Sequence, residues 1–339
     1  MTSHPCRRSL GIAAVCWAAA VVLGPTVPVA ASEPYLIVDA LLLDRDNRTG
    51  SRPLVIDGNT GQTVIGTGNL DFPVAGGVRA FVGRHGCDAC GWELGYLGVY
   101  GLSASTMATG SANLDIAPPL NSQVASLAGA SLADASYDST LNGFEANLLA
   151  TEIYAHQPRH TGYEIERVPY VATIDWLAGF RWAGLDERAA IALTTPGLGT
   201  SQYAVRSSSN LFGGQIGARG RIDWDRWAFE GQAKAAVAGS VLSQSQAPVV
   251  DAISGEVYRS ARGGNAGDVG GIFEWNTSIV KRLGEVWSVR AGYTMIWLTG
   301  VALAPNQFDF SLDTLAGTTV AGGQTIWLQG ATVGLEARW

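Results

Sequence analysis

From Leu141 to the C-terminus, apolar residues recur at every second position, the period of a β-strand. The last segment, TIWLQGATVGLEARW, is the clearest. Trp327, Ala331, Val333, Leu335, Ala337 and Trp339 share one face; Gly330, Thr332, Gly334, Glu336 and Arg338 share the other, with Gln329 the exception. Trp287, Val289, Ala291, Tyr293, Met295 and Trp297 alternate with Ser288, Arg290, Gly292 and Thr294. Trp227, Phe229, Ala233, Ala235 and Val237 alternate with Glu230, Gln232 and Lys234. Segments at 209–222, 173–184, 141–154 and 92–100 read the same way. These runs reach about ten residues, whereas an ordinary globular strand has about 5–6. A tilted strand of ~9–11 residues crosses a bilayer. The pattern predicts an all-β fold, an antiparallel transmembrane β-barrel.

Before Leu141 the pattern is weaker. Tyr35–Leu43 is a strand of continuous apolar character, and Val78–Gly83 with Trp92–Tyr100 reads as a hairpin. Residues 101–140 are rich in Ser, Ala, Asn, Leu and Gly, and their strands are not assigned. Eight strands from Leu141 and about four before it give about twelve, within a range of ten to fourteen, an even number as the fold prefers.

Connection lengths agree with a barrel. The segments 157–171, 195–208, 243–267 and 304–324 read as long; 185–187, 223–225 and 281–285 read as short. Transmembrane barrels place short turns on the periplasmic side and long loops outside. The last strand then descends to the short-turn side. Trp182, Trp224, Trp227, Trp287 and Trp339 sit beside predicted turns or the chain end, where interfacial aromatic girdles belong.

Composition narrows the class further. The chain has 339 residues, 47% hydrophobic, with 43 Gly and 11 Trp, and only 15% charged. That is too apolar for a disordered chain. A net charge of −7, with only Lys234 and Lys281 as lysines, argues against a nucleic-acid partner. Arg7 and Arg8, the uncharged run Leu10–Gly24, and Val29-Ala30-Ala31 form a secretory leader, so residues 1–31 are expected to be removed and 32–339 to form one domain.

The polar faces supply the candidate chemistry. Glu93, Glu145, Asp175, Arg181, Arg219, Arg221, Glu230, Lys234, Glu274 and Arg290 alternate away from the lipid face and are expected to point into the lumen. In a narrow barrel they would pair and plug it; in a wider one they would screen solutes. Charge at Gln232, on this face, is expected to be tolerated, and at Ala233, on the lipid face, to be costly.

Cys87 and Cys90 form a CxxC between two strands, with only His85 close enough to join them at a metal; a disulfide at a hairpin tip is expected. The run from Asp44 to Gly50 has calcium-loop flavour, but Arg48 carries the wrong charge at the fifth position. His156 and His160 flank Pro158, with Glu164 and Glu166 nearby, and read as solvated loop residues. No nucleophile elbow, P-loop or HExxH occurs. No catalytic, metal or cofactor site is assigned, and the chain is not expected to be an enzyme.

Thr332, Gly334, Ala337 and the terminal Trp339 match the end pattern that barrel-assembly machinery reads, with Ala337 in place of the usual bulky residue. Expected partners are therefore the bilayer and that machinery, with the oligomeric state open. The blocks YLIVDALLLDRDN, GWELGYLGVYG, GFEANLL, DWLAGFRWAGLDE and NLFGGQIGARG together resemble a beta-barrel porin family abundant in planctomycete bacteria. The resemblance implies an outer-membrane barrel and supplies no substrate. Passive passage of small hydrophilic solutes is the expectation; a structural or surface-interaction barrel without an open pore is the alternative. A soluble secreted sandwich is the third reading.

Overall fold

The computed structural model describes residues 33–46, 50–86, 90–156 and 170–339. The expected leader, Cys87 and with it the expected bridge to Cys90, Arg48, His160, Glu164 and Glu166 lie outside the described residues, as does the side chain of His156. Fourteen strands follow in chain order: β1 (Glu33–Asp46), β2 (Pro53–Asp57), β3 (Thr63–Gly66), β4 (Ala75–His85), β5 (Cys90–Ile116), β6 (Ala130–His156), β7 (Tyr170–Thr195), β8 (Gly199–Trp224), β9 (Trp227–Gln246), β10 (Val249–Val250), β11 (Val257–Arg259), β12 (Arg262–Arg282), β13 (Trp287–Val301) and β14 (Gln324–Arg338).

Twelve of them form one antiparallel sheet. Within it β1, β4, β5, β6, β7, β8, β9, β12, β13 and β14 each pair with two ring neighbours, and β14 returns to β1, so these ten close a barrel. The other two, β2 and β3, form a hairpin that rides on the far part of β5. The ring closes because Tyr35–Asp46 pairs in unbroken register with Arg338–Trp327.

One end carries the connections 86–89, 225–226 and 283–286 and both ends of the described chain; we call it the turn end. The loop end carries 47–74, 117–129, 247–261 and 302–323. Trp339 lies at the turn end, and its N–H donates to the Pro34 carbonyl at 3.2 Å.

The structure corrects the expected turn at 185–187. β7 runs through it without a break, pairing Leu185 with Leu141 and Glu187 with Ser139. Most of the expected loop 195–208 is β8, so only 196–198 turns. One fewer turn reverses the parity upstream. β6 therefore ends and β7 begins at the turn end, not on the side of the long loops.

Why Gly184-Leu-Asp-Glu-Arg188 resembles a turn is clear from the wall itself. In the turn-end half of β7, Asp175 and Arg181 face inward, while Trp176 and Phe180 face outward and are exposed. In the loop-end half, Leu185, Ile191 and Leu193 face inward and are buried, while Asp186 and Arg188 face outward. The strand continues but its polarity inverts. β6 inverts in the same way: Glu145 and Asn147 inside against Phe144 and Leu148 outside, then Tyr137 and Leu141 inside against Asp138 outside.

The inversion explains the strand lengths. β5 and β6 have 27 residues, and β7 and β8 have 26, more than twice what a bilayer crossing requires. From Tyr170 to Trp182 the outer face of β7 is apolar; at ~3.3 Å per residue and ~40° tilt this belt is about 30 Å tall. Beyond it the walls rise out of the apolar zone. There the inward face packs a continuous hydrophobic core with Leu54, Val55, Ile65 and Phe72 of the segment 47–74, Leu120 and Leu127, and Phe308 and Phe310.

Candidate functional site

The turn-end half encloses a network of charged side chains contributed by every strand of the ring. All ten candidate lumen residues are in it. The inward parity of each strand brings them there, and they are 0–7% exposed. A water-filled lumen would leave its lining exposed; this one does not.

The pairs span the interior rather than running along the wall. Glu274 on β12 accepts from Arg181 on β7 at 2.5 Å and from Arg79 on β4 at 3.2 Å, and lies 3.4 Å from Lys234. Glu145 on β6 accepts from Lys234 Nζ on β9 and from Gln215 Nε2 on β8, both at 2.6 Å. Arg219 on β8 pairs with Glu93 on β5, which also accepts from the Tyr35 hydroxyl at 2.7 Å. Arg221 on β8 reaches Glu336 on β14 at 2.8 Å. Arg290 on β13 joins Glu230 at 2.9 Å and Asp39 at 3.2 Å. Asp175 accepts from Thr151 Oγ1 at 2.7 Å and lies 3.7 Å from His85 Nδ1. Strands several places apart in the ring can exchange ion pairs only if the side chains meet in the middle.

Such a layer stands because each desolvated charge has opposite charges around it. Removing one partner from a buried pair typically costs about 3–5 kcal/mol. Where the layer meets the wall at β5 and β6, a void of about 10 Å³, bounded by Arg79, Phe81, Tyr96, Phe144, Glu145, Arg181 and Glu274, has room for roughly one water. Arg181 Nη1, which has no hydrogen-bond partner in the described protein, is where that water would bond. Gln232 belongs to the same packed layer, accepting from Asn276 Nδ2 at 3.0 Å. An added charge there meets a filled interior, which corrects the expected tolerance.

Three buried charged members of the network, Asp39, Arg79 and Glu336, were not among the sequence candidates. Asp39 hides in YLIVDALLL, where both faces of the strand are apolar and parity is invisible. Arg79 lies in a short strand whose inward positions include two glycines. Glu336 stood on the polar face of the last strand, but only the register shows that it meets Arg221. A separate polar cluster lies in the loop-end half. There Arg45 bonds Glu187 at 2.6 Å and Tyr137 at 2.9 Å, and Ser139 as well, under the Phe72 ring. Glu187 also accepts the Ala304 N–H at 2.9 Å, tying the segment 302–323 into the barrel mouth.

That segment seals the loop end. Leu303, Ala304, Phe308 and Phe310 are buried. Arg259 Nη1 donates to the Asp309 carbonyl at 2.7 Å, and Gln246 Nε2 to the Gln307 carbonyl at 2.8 Å.

The remaining candidates fall on the outer surface or at the ends. Trp224, Trp227, Trp287 and Trp339 are exposed at the turn end, with Lys281 Nζ 5.0 Å over the Trp227 ring. Trp182 lies at the opposite margin of the apolar belt, and its Nε1 donates to Asn210 Oδ1 at 3.2 Å. Thr332 faces the lumen and Ala337 is buried, whereas Trp339 is 60% exposed. At Gly334 a Cβ would come within 2.2 Å of Asp39 Oδ1, so only glycine fits beside the network. A concavity of about 770 Å³ lies on the outer wall, floored by Ala178, Ala218, Ala233 and Ala235 between Trp176, Trp275 and Trp297. Among the described residues no His, Cys, Asp and Glu group has metal-binding geometry.

No curated protein matches the chain. Among solved structures, it is similar to the outer membrane protease OmpT from Escherichia coli, at 9% identity and TM-score 0.46, covering 94% of this chain and 99% of that one. It is also similar to a major outer membrane protein from Thermus thermophilus, at 10% identity and TM-score 0.34, covering 91% and 100%. Residues 38–339 match the beta barrel porin-7 family, spanning almost all of the described barrel, and the chain belongs to that family.

Proposed function

We propose that the chain is an outer-membrane β-barrel that is closed at rest and works through the part of its wall that stands beyond the lipid. The observation that carries the reading is the sealed interior. Ion pairs cross the turn-end half, and hydrophobic packing with the segment 302–323 fills the loop-end half. Ten strands lie near the eight-stranded size that side chains can fill, and far from the sixteen or more of an open porin. Exported as the leader implies and inserted through its last strand, the barrel would be a rigid, non-catalytic support.

Purified, folded protein in planar bilayers tests this. The expected outcome is no steady conductance at moderate voltage. Stable ohmic steps from the intact chain would overturn it.

A second reading keeps solute passage but makes it gated. Gly300, Gly317 and Gly323 adopt positive φ of 75°, 78° and 76° within or beside the sealing segment, a backbone conformation that lets it turn sharply. On this reading, removing residues 308–318 yields conductance that the intact chain lacks.

A further inference from the structure

Among the described residues, the wall that rises beyond the apolar belt is not closed. β4 makes its last bond-partner pair with β5 at Gly76 and Tyr100. Gly101 then forms a bulge at φ 74°, and β5 continues alone on that side. Its next eight residues, Leu102–Thr109, pair in unbroken register with Ser139–Leu132 of β6. Among the described residues no strand pairs with them on the other side, until β2 joins at Leu114. A strand bonded on one side only leaves every second N–H and C=O directed outward.

Soluble walls protect such edges with lysine, proline or other charge. LSASTMAT has none of these. Ser103, Ser105 and Met107 are exposed on the water-facing side, Met107 at 66%. On the inner side Leu102 and Ala104 are core residues. Two exposed acids, Asp138 and Asp134, sit on β6 directly across from Ser103 and Met107. An added strand would lie about 10 Å from them, two strand spacings away, within reach of a lysine or arginine laid across Ser103 toward Asp138 or alongside Met107 toward Asp134.

A second copy fits this edge poorly. Antiparallel pairing of two identical edges needs a two-fold axis perpendicular to the wall, hence in the membrane plane, which would invert one barrel. Parallel pairing about an axis along the strands would set the apolar inner face of one copy beside the polar outer face of the other. We propose that Leu102–Thr109 is a strand-addition site for an extended segment of another protein, apolar at alternate positions and carrying lysine or arginine on its water-facing side. The proposal rests on the reading that the wall beyond the lipid is the working surface.

The probe is a fluorescein-labelled, end-blocked heptapeptide, Val-Lys-Val-Thr-Val-Lys-Val, with a Glu-for-Lys version as control, added to full-length barrel folded in detergent. The lysine peptide is expected to bind saturably and about tenfold tighter than the glutamate peptide, since its two cations are attracted by Asp134 and Asp138 where two carboxylates are repelled. Hydrogen exchange should slow within 102–109 and not along β7. The double variant Asp134→Asn, Asp138→Asn should bring the two peptides to equal affinity. Ser105→Pro and Thr106→Pro place the ring at adjacent positions, one of which directs its N–H outward; the variant that still shows the folded gel mobility should lose binding. Equal binding of the two peptides to the unmodified barrel, protection elsewhere, or no binding at ~1 mM would each overturn the proposal. A disulfide dimer through Met107→Cys in native membranes would overturn it in favour of a second copy. Conductance is a separate readout, so a silent barrel that binds no peptide removes this inference and leaves the sealed-lumen reading standing.

Discussion

The two halves of β7 are made from the same backbone and face opposite solvents. Near the turn end Trp176 and Phe180 are exposed and Arg181 is buried; past Gly184 it is Asp186 that is exposed and Leu185 that is buried. Each half obeys the same rule, that groups face the medium that solvates them. In the first half the outer medium is lipid, so the charges have only one another. In the second it is water, so the interior can be an ordinary hydrophobic core. The comparison also explains why the turn-end interior is ionic although barrels of this size could be filled with apolar side chains. Polar alternation keeps the wall amphipathic with its apolar side toward lipid, and the buried charges then need partners across the lumen.

The contrast breaks most visibly at Glu274. Glu274→Ala leaves Arg79, Arg181 and Lys234 short of their shared carboxylate, and should destabilise the folded barrel by about 3–5 kcal/mol in urea titration. A loss under about 1 kcal/mol would mean that water solvates the layer. One step down, Ala233→Arg puts a cation on the outer face near the middle of the apolar belt and should cost about 2–4 kcal/mol in lipid vesicles. The same change at Ala192, on the outer face beyond the belt, should stay within about 0.5 kcal/mol. Similar costs at the two sites would erase the boundary drawn here. The smallest stability effect is expected at Trp339→Ala, since the side chain is exposed. Its signature should be kinetic: slower appearance of heat-modifiable barrel in the outer membrane, with an almost unchanged unfolding midpoint. Unchanged assembly would remove Trp339 from the end-signal reading.

Much of this was legible in the chain. Alternation in 141–154, 209–222 and 287–301 predicted strands that the structure contains, because period two is a property of the local backbone. The faces were legible too, since Arg290 and Trp287 must point opposite ways once both are in one strand. The apparent turn at 185–187 failed for a physical reason. Sequence reading takes a cluster of Gly, Asp, Glu and Arg as a departure from the sheet, yet here it marks a departure from lipid, with the pairing intact. Asp39 failed for another: in a strand apolar on both faces, a single charge carries no parity.

By itself, then, the sequence determined the class of fold, the inward and outward face of most strands, and the side on which the chain ends. Local periodicity and the need of polar groups for polar surroundings suffice for these. Only the tertiary structure decided that ten strands close the ring while two stand outside it. It alone decided that the charges meet across the lumen instead of lining a passage, and that, among the described residues, β5 keeps an unpaired edge beyond the apolar belt. These depend on register and on ring circumference, set by how strands far apart in the chain pair, and no local pattern encodes them.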